Sequence, residues 1–300
     1  MRSFGDEALH IQEDDETDFG GRNIRSRAMP GEEESVNNEE RQVPTATDWL
    51  LDLAPQSEQP PIRSTYMVWS TKTGRKGTAF SLSTGPVVTC EHVIQGSAPQ
   101  DLVLIASTGQ RLAVKDMVVN ADLDLAALQL TRQPTEGFRI QTAAPRLEQK
   151  VRTWGYPLAY NGPSPILAVG YVAGFNPFRR RPGSPIVKHF VVNGAFNPGN
   201  SGGPLIAEFQ DAIVGVVVSK HAPISGRHLS ALEALKNQKS GAQFPAMDAE
   251  GNEFWFSEAH LVGDLLQYFR DMTQVVIGEA IAAQEVVKFL DAHGFAWKGR

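Results

Sequence analysis

The sequence predicts a mainly β protein, an antiparallel sandwich or barrel, preceded by an unstructured acidic segment and followed by helices. Three observations carry this. Short β-branched or apolar runs recur from Tyr66 to about Ser219, turn residues separate them, and no helical run lies between them. The runs are Tyr66–Trp69, Gly77–Phe80, Val87–Thr89, Leu102–Ile105, Leu125–Leu130, Val151–Trp154, Val169–Val172, Phe190–Val192 and Ile213–Val218. A doubly wound sheet would alternate strands with helices, so that class is excluded. No internal repeat is visible.

Residues 1–60 are rich in Glu, Asp, Asn, Gly and Pro and poor in large apolar side chains, so burial cannot offset the entropy of ordering them. They are expected to be largely disordered. One exception is Thr47–Ala54, which has an N-cap and apolar residues at helical spacing. It reads either as a short docking helix or as a turn packed on the neighbouring domain. Residues 61–222 form the β domain, 223–255 a loop or linker, and 256–300 a helical C-terminal extension. In that extension, Ser257 caps a helix with Leu261, Leu265 and Phe269 on one face. A second helix from Thr273 to His293 would carry Ile277, Ile281 and Leu290, and stop at Gly294 as its C′ residue.

Composition narrows the function. The net charge is −6, but residues 1–60 hold 15 Asp/Glu against 5 Arg, leaving the remainder slightly basic. An acidic tail on a near-neutral body gives no reason to expect nucleic acid as a partner. Cys90 is the single cysteine, so no intrachain disulfide forms and a reducing compartment is indicated. No run approaches the roughly 18 apolar residues of a membrane span, and the start lacks a signal-peptide core. The expected location is cytoplasmic, with no membrane partner.

The chemistry begins at Asn197-Pro-Gly-Asn-Ser-Gly-Gly-Pro-Leu205. Pro198-Gly199 makes a tight turn, Gly202-Gly203 permits close backbone approach, and Ser201 stands uncrowded between them. The N–H groups of Gly199 and Ser201 can share one space and form an oxyanion hole. A serine hydroxyl needs a base beside it at neutral pH. His92 follows the apolar strand Val87–Thr89, where the chain leaves the sheet, and suits that role. Asp124 opens the strand Leu125–Leu130, and a charge at that entrance needs a partner such as an imidazole N–H. Asp122 competes with it, since two residues two apart on a strand share a face.

In order, Gly77-Thr-Ala-Phe80, Thr89-Cys-Glu-His-Val93, Asp124-Leu-Ala126, Gly155-Tyr-Pro157 and Asn197–Pro204 resemble the trypsin-like peptidases, above all the bacterial HtrA/Deg-type branch. The likeness covers about residues 62–220. It implies a double six-stranded antiparallel β-barrel (chymotrypsin-like) with the active site between barrels. It also implies catalytic roles for His92, Asp124 and Ser201, an oxyanion hole at Gly199 and Ser201, and a protein or peptide substrate. Cys90 departs from the family's usual small residue, no PDZ-like domain is evident, and Asn200 replaces the aspartate that zymogen activation needs.

By the same resemblance, the base of the first specificity pocket lies at Ala195 and Phe196, with a wall near Val217. The strand Val217-Val218-Ser219 is expected to pair with substrate backbone. No Asp marks a taste for Lys or Arg, so cleavage after small or medium apolar residues is expected. The reading is a serine endopeptidase using no metal and no cofactor, with a regulatory partner docking through residues 1–60 or 256–300.

A non-catalytic or partner-activated module could keep a protease fold. Gly199-Asn-Ser-Gly-Gly203 also fits an α/β-hydrolase elbow, with Asp264 and His293 as partners. The remaining histidines (His10, His189, His221, His228, His260 and His293) read as structural or surface residues. Cys90 reads as a small buried side chain, and Arg179-Arg-Arg-Pro182 as a solvated loop, with self-cleavage or a basic contact as lesser uses.

Overall fold

In the computed structural model, the described residues are 46–300 apart from 159, 161, 209–211, 221–225, 238–241, 248–252, 273–276 and 298–300. The disorder expected of residues 1–45 therefore lies outside the described residues. From Ala46 the chain is helical. Helix α1 (Ala46–Leu53) packs Leu50 and Leu51 on the first core, and α2 (Gln59–Arg63) buries Pro61 and Ile62. The Thr47–Ala54 segment is thus helical as far as Leu53, as the first of its two readings had it, and packed on the barrel, as the second had it. Between the helices, Glu58 accepts Trp154 Nε1–H at 2.8 Å and pairs with Arg152 Nε at 2.7 Å, fastening the segment to the second barrel.

The first barrel comprises β1 (Thr65–Ser70), β2 (Lys76–Ser81), β3 (Val87–Thr89), β4 (Leu102–Ala106), β5 (Arg111–Asn120) and β6 (Leu125–Leu130), with helix α3 (Glu91–Ile94) after β3. Its closed order is β1-β2-β3-β6-β5-β4, with every pair antiparallel. Val68, Phe80, Val88, Leu104 and Leu128 fill it and are fully buried, each worth about 1.5–3 kcal/mol. The nine runs predicted from sequence all lie in strands. Strand β5 escaped that reading because its burial alternates too weakly, with Arg111, Ala113, Lys115 and Asp116 exposed.

The second barrel uses β8 (Lys150–Gly155), β9 (Ile166–Phe178), β10 (Val187–Gly194), β11 (Pro204–Ala207) and β12 (Ala212–Lys220); β7 (Arg139–Ile140) joins β12 in parallel. The chain then leaves the barrel for α4 (Gly226–Asn237), the hairpin of β13 (Gln243–Met247) and β14 (Glu253–Ser257), and α5 (Glu258–Met272). It returns as β15 (Gly278–Ala282) between β10 and β12, and the β11–β12 pairing closes the six-stranded ring. Helix α6 (Ala283–Ala292) ends the fold, with Val286, Phe289 and Leu290 in the first core.

The continuous helix expected from Thr273 to His293 is therefore corrected. Residues 278–282 are the sixth strand of the second barrel. A spacing of four, as from Ile277 to Ile281, keeps one face of a strand as well as one face of a helix, so the pattern did not discriminate. The predicted stop is right. Gly294 has φ +71°, Gly294 N–H donates to Asp291 O at 3.2 Å, and Phe295 N–H donates to Leu290 O at 3.0 Å, a Schellman closure. In α5, His260 N–H donates to the Ser257 cap at 3.2 Å. The shared face of Leu261, Leu265 and Phe269 is exposed, whereas Gly263 is buried against Leu235 and Lys236 of α4. No helix among the described residues is long and apolar enough to cross a membrane.

Candidate active site

Asp124 is placed by a turn. Asn120 Oδ1 accepts the N–H groups of Asp122 at 3.1 Å and Leu123 at 3.0 Å. Asp124 then takes φ +58°, a left-handed conformation that Asp tolerates better than most residues, before entering β6. This turn separates the two aspartates expected to share a face. Asp122 lies outside, its side chain 49% exposed, while the Asp124 side chain is 10% exposed.

Asp124 accepts on both oxygens. Oδ1 takes the His92 backbone N–H at 3.0 Å and Oδ2 faces His92 Nδ1 at 2.8 Å. Burial alone would raise its carboxyl, but the hydrogen bonds and charge of His92, with the charge of Arg180, hold it below the usual carboxylate range. The contact to Nδ1 leaves Nε2 of His92 as the nitrogen available for a proton from a nucleophile.

Ser201 sits in the turn after Gly199, at the mouth of the second barrel. Its neighbours demand glycine. Gly202 has φ +85°, and a Cβ there would run into Thr78 O and Thr89 Oγ1. Gly199 has φ +98°, and a Cβ there would meet Tyr156 O and, at 2.6 Å, Leu158 N. The Pro198 carbonyl accepts Leu158 N–H at 2.8 Å. A trans peptide holds its C=O and N–H on opposite sides, so the Gly199 N–H is turned the other way. Among the described residues, neither that N–H nor the Ser201 N–H meets an acceptor. Thr78, fully buried, donates its hydroxyl to Gly199 O at 2.7 Å and accepts Tyr156 N–H at 3.0 Å, clamping the loop from behind.

The Ser201 hydroxyl donates to Val218 O at 2.6 Å. That carbonyl is free because Val218 is bulged: Val217 pairs with Ala280 and Ser219 with Glu279, so Val218 has no partner on β15. The resting hydroxyl is thus directed at the edge of β12.

The predicted substrate-binding residues divide. Val218, partly buried, lies beside Ser201, and Ser219 continues β12 with its backbone paired to Glu279. Val217 is corrected: its side chain is fully buried in the second core, its N–H donates to Gly203 O, and its carbonyl accepts Gly202 N–H. Neither side chain nor backbone of Val217 is left for a substrate. Phe196 is likewise buried, its ring pressed on Gly278, while Ala195 is half-buried. Gly278 went unnoticed in the sequence because the β15 segment read as helix.

Cys90, His92 and Asp124 bring a thiol, a ring nitrogen and a carboxylate within 4.8 Å of one another. This is the arrangement among the described residues nearest to a metal-binding set. Burial, then the Asp124 charge, pushes the Cys90 thiol well up, and its Sγ–H donates to Val217 O at 3.4 Å. A protonated, engaged thiol is a poor ligand. The α/β-hydrolase reading is excluded by the antiparallel barrels. Its proposed partners are elsewhere: Asp264 lies 3.6 Å from Lys236, and His293 Nδ1 is 2.8 Å from Phe289 O.

The two barrels define a chymotrypsin-like fold. Residues 77–216 match the trypsin-like peptidase domain family. The protein is similar to the Rv3671c protease from M. tuberculosis in its active form, with 16% identity and a TM-score of 0.54 over 82% of this chain and 87% of that one. The HtrA-type protease AlgW with tripeptide gives 17% identity and 0.51 over 79% and 63%. These likenesses show the fold. Uncharacterized protein y4bJ of Sinorhizobium fredii (strain NBRC 101917 / NGR234) is 32% identical over 147 residues, 48% of this chain. The chain spans 22% of that relative's length. Among the described residues, no PDZ-like domain is evident.

Proposed function

We propose that the protein is a serine endopeptidase. The Ser201 hydroxyl turns from Val218 O to His92 Nε2, gives up its proton and attacks the scissile carbonyl carbon. The oxyanion sits against the Gly199 and Ser201 N–H groups, and Asp124 balances the imidazolium. Collapse breaks the C–N bond and passes the His92 proton to the leaving amine. Water, deprotonated by His92, then releases the acyl group from Ser201. The observation that carries this reading is the 2.8 Å His92–Asp124 contact together with a serine loop that reaches the Cys90 backbone at Gly202 and in which, among the described residues, neither the Gly199 nor the Ser201 N–H meets an acceptor.

The substrate preference proposed is small or medium apolar side chains, supported by the Phe196 ring lying buried against Gly278 beside the half-buried Ala195. The lone thiol supports a reducing compartment, and the exposed apolar face of α5 supports a regulatory partner there. A partner-activated enzyme is the second reading, favoured by the resting Ser201 hydroxyl pointing to Val218 O. The test is a peptide-library digest with mass-spectrometric identification of products. Cleavage after Ala, Val or Leu, lost in Ser201→Ala, is expected. Products dominated by Arg, Lys or Glu before the cut would overturn the preference, and identical products from Ser201→Ala would overturn the mechanism.

A further inference from the structure

The loop between β9 and β10 sends one side chain across to the first barrel. Arg180 Nη1 lies 2.7 Å from Asp124 Oδ1 and donates to Ala121 O at 3.0 Å, while Nη2 lies 3.1 Å from Glu91 Oε2. The three side chains are 24%, 10% and 10% exposed, so this ion-pair group is largely shielded from water. The loop carrying it is braced. Arg179 donates to Ser184 O at 2.6 Å, and the Ser184 hydroxyl accepts Arg181 N–H at 3.1 Å and donates to Arg181 O at 2.9 Å. Arg181 also approaches Asp122 at 3.9 Å, on the rim of the same turn.

We infer that Arg180 is a positioning residue for the Asp124–His92 pair and that Glu91 sets how much of its positive charge the pair experiences. This rests on the proposed peptidase reading. With the His92 backbone N–H and Arg180 both on Oδ1, the Asp124 carboxylate cannot rotate, and Oδ2 is held against His92 Nδ1. Arg180 alone would disfavour the imidazolium that forms during the reaction, and Glu91 opposes that effect. The other groups facing the pair are the Cys90 thiol and Arg75, whose Nη1 donates to His92 O at 2.8 Å. Neither touches a carboxylate oxygen of Asp124.

The two neighbours therefore act with opposite sign, which a merely structural role would not produce. In the full chain, Arg180→Met is expected to lower kcat about ten-fold or more, with KM changed less than about three-fold. The acid limb of the kcat/KM profile moves to higher pH. Arg180→Lys restores part of kcat, since one charge returns without the fork. Glu91→Gln moves the acid limb to lower pH. A second measurement needs no turnover: the pH titration of the His92 ring resonances in Ser201→Ala, with each change added, moves in the same opposite directions. Shifts of one sign in both variants, or none, with melting temperatures showing both folded, overturn the inference. Opposite shifts in a wild-type chain that hydrolyses no peptide would sustain the placement of Arg180 while the peptidase reading fails.

Discussion

The hydroxyl of Ser201 and the carbonyl of Val218 are hydrogen-bonded at 2.6 Å, through a bulge that leaves Val218 unpaired in β12. On the proposed peptidase reading, this carbonyl is also the acceptor at which an extended substrate would pair. A substrate N–H arriving at Val218 O would displace the hydroxyl towards His92.

Methylating the substrate N–H that reaches Val218 O should lower kcat/KM by about ten-fold or more, the loss of roughly one hydrogen bond and its alignment. Paired peptides differing only in that methyl group would be compared. Equal kcat/KM values contradict a role for the carbonyl.

Thr78 is predicted to matter through Gly199. Thr78→Val leaves Gly199 O and Tyr156 N–H without their partner, at a cost of about 1–3 kcal/mol for each buried group. Loosening the loop should also lower kcat by about 100-fold, the scale of losing one oxyanion donor. Thr78→Ser, which keeps the hydroxyl, should retain most of both. Thermal melts and initial rates on the three proteins decide it.

The acid side of stability should depend on Asp124. Its carboxyl is held below the usual range in the folded protein, so the folded state binds fewer protons than the unfolded chain as pH falls. The resulting stability is present above the unfolded carboxylate range and is lost as pH drops through the folded value. Urea midpoints measured from neutral to acid pH should fall less steeply for Asp124→Asn than for the wild type. Parallel curves would contradict this account of Asp124.

Cys90 should be inert while the protein is folded. It is fully buried, its thiol is pushed up, and it is bonded to Val217 O. Iodoacetamide near pH 8 should leave the native mass unchanged and add one group after denaturation. Rapid native alkylation would show that the Cys90 segment opens.

What could be read from sequence was what local chemistry encodes. His92, Asp124 and Ser201 stand in short segments whose turn residues and apolar strands fix their setting, and the structure sets His92 against Asp124 and the Gly202 backbone close to Cys90. Arg180 escaped because its partner lies 56 residues away, and three arginines before a proline look like solvated surface. Val217, read as a pocket wall, is buried in the second core, and of the strand Val217–Ser219 it is Val218 whose carbonyl faces the serine, because a bulge that no residue type marks decides it. Strand β15 was hidden by a spacing that helix and strand share. Its separation from β12 by two helices and a hairpin removed the regular strand rhythm that exposed the others.

Whether Ser201 is an activated nucleophile is decided by intact mass after a fluorophosphonate, on the wild type and on Ser201→Ala, His92→Ala and Asp124→Asn. One adduct is expected on the wild type, none on Ser201→Ala, and labelling slowed at least about 100-fold in the other two. An adduct formed at the wild-type rate after Ser201→Ala, or a wild type that neither labels nor cleaves any peptide, would contradict it.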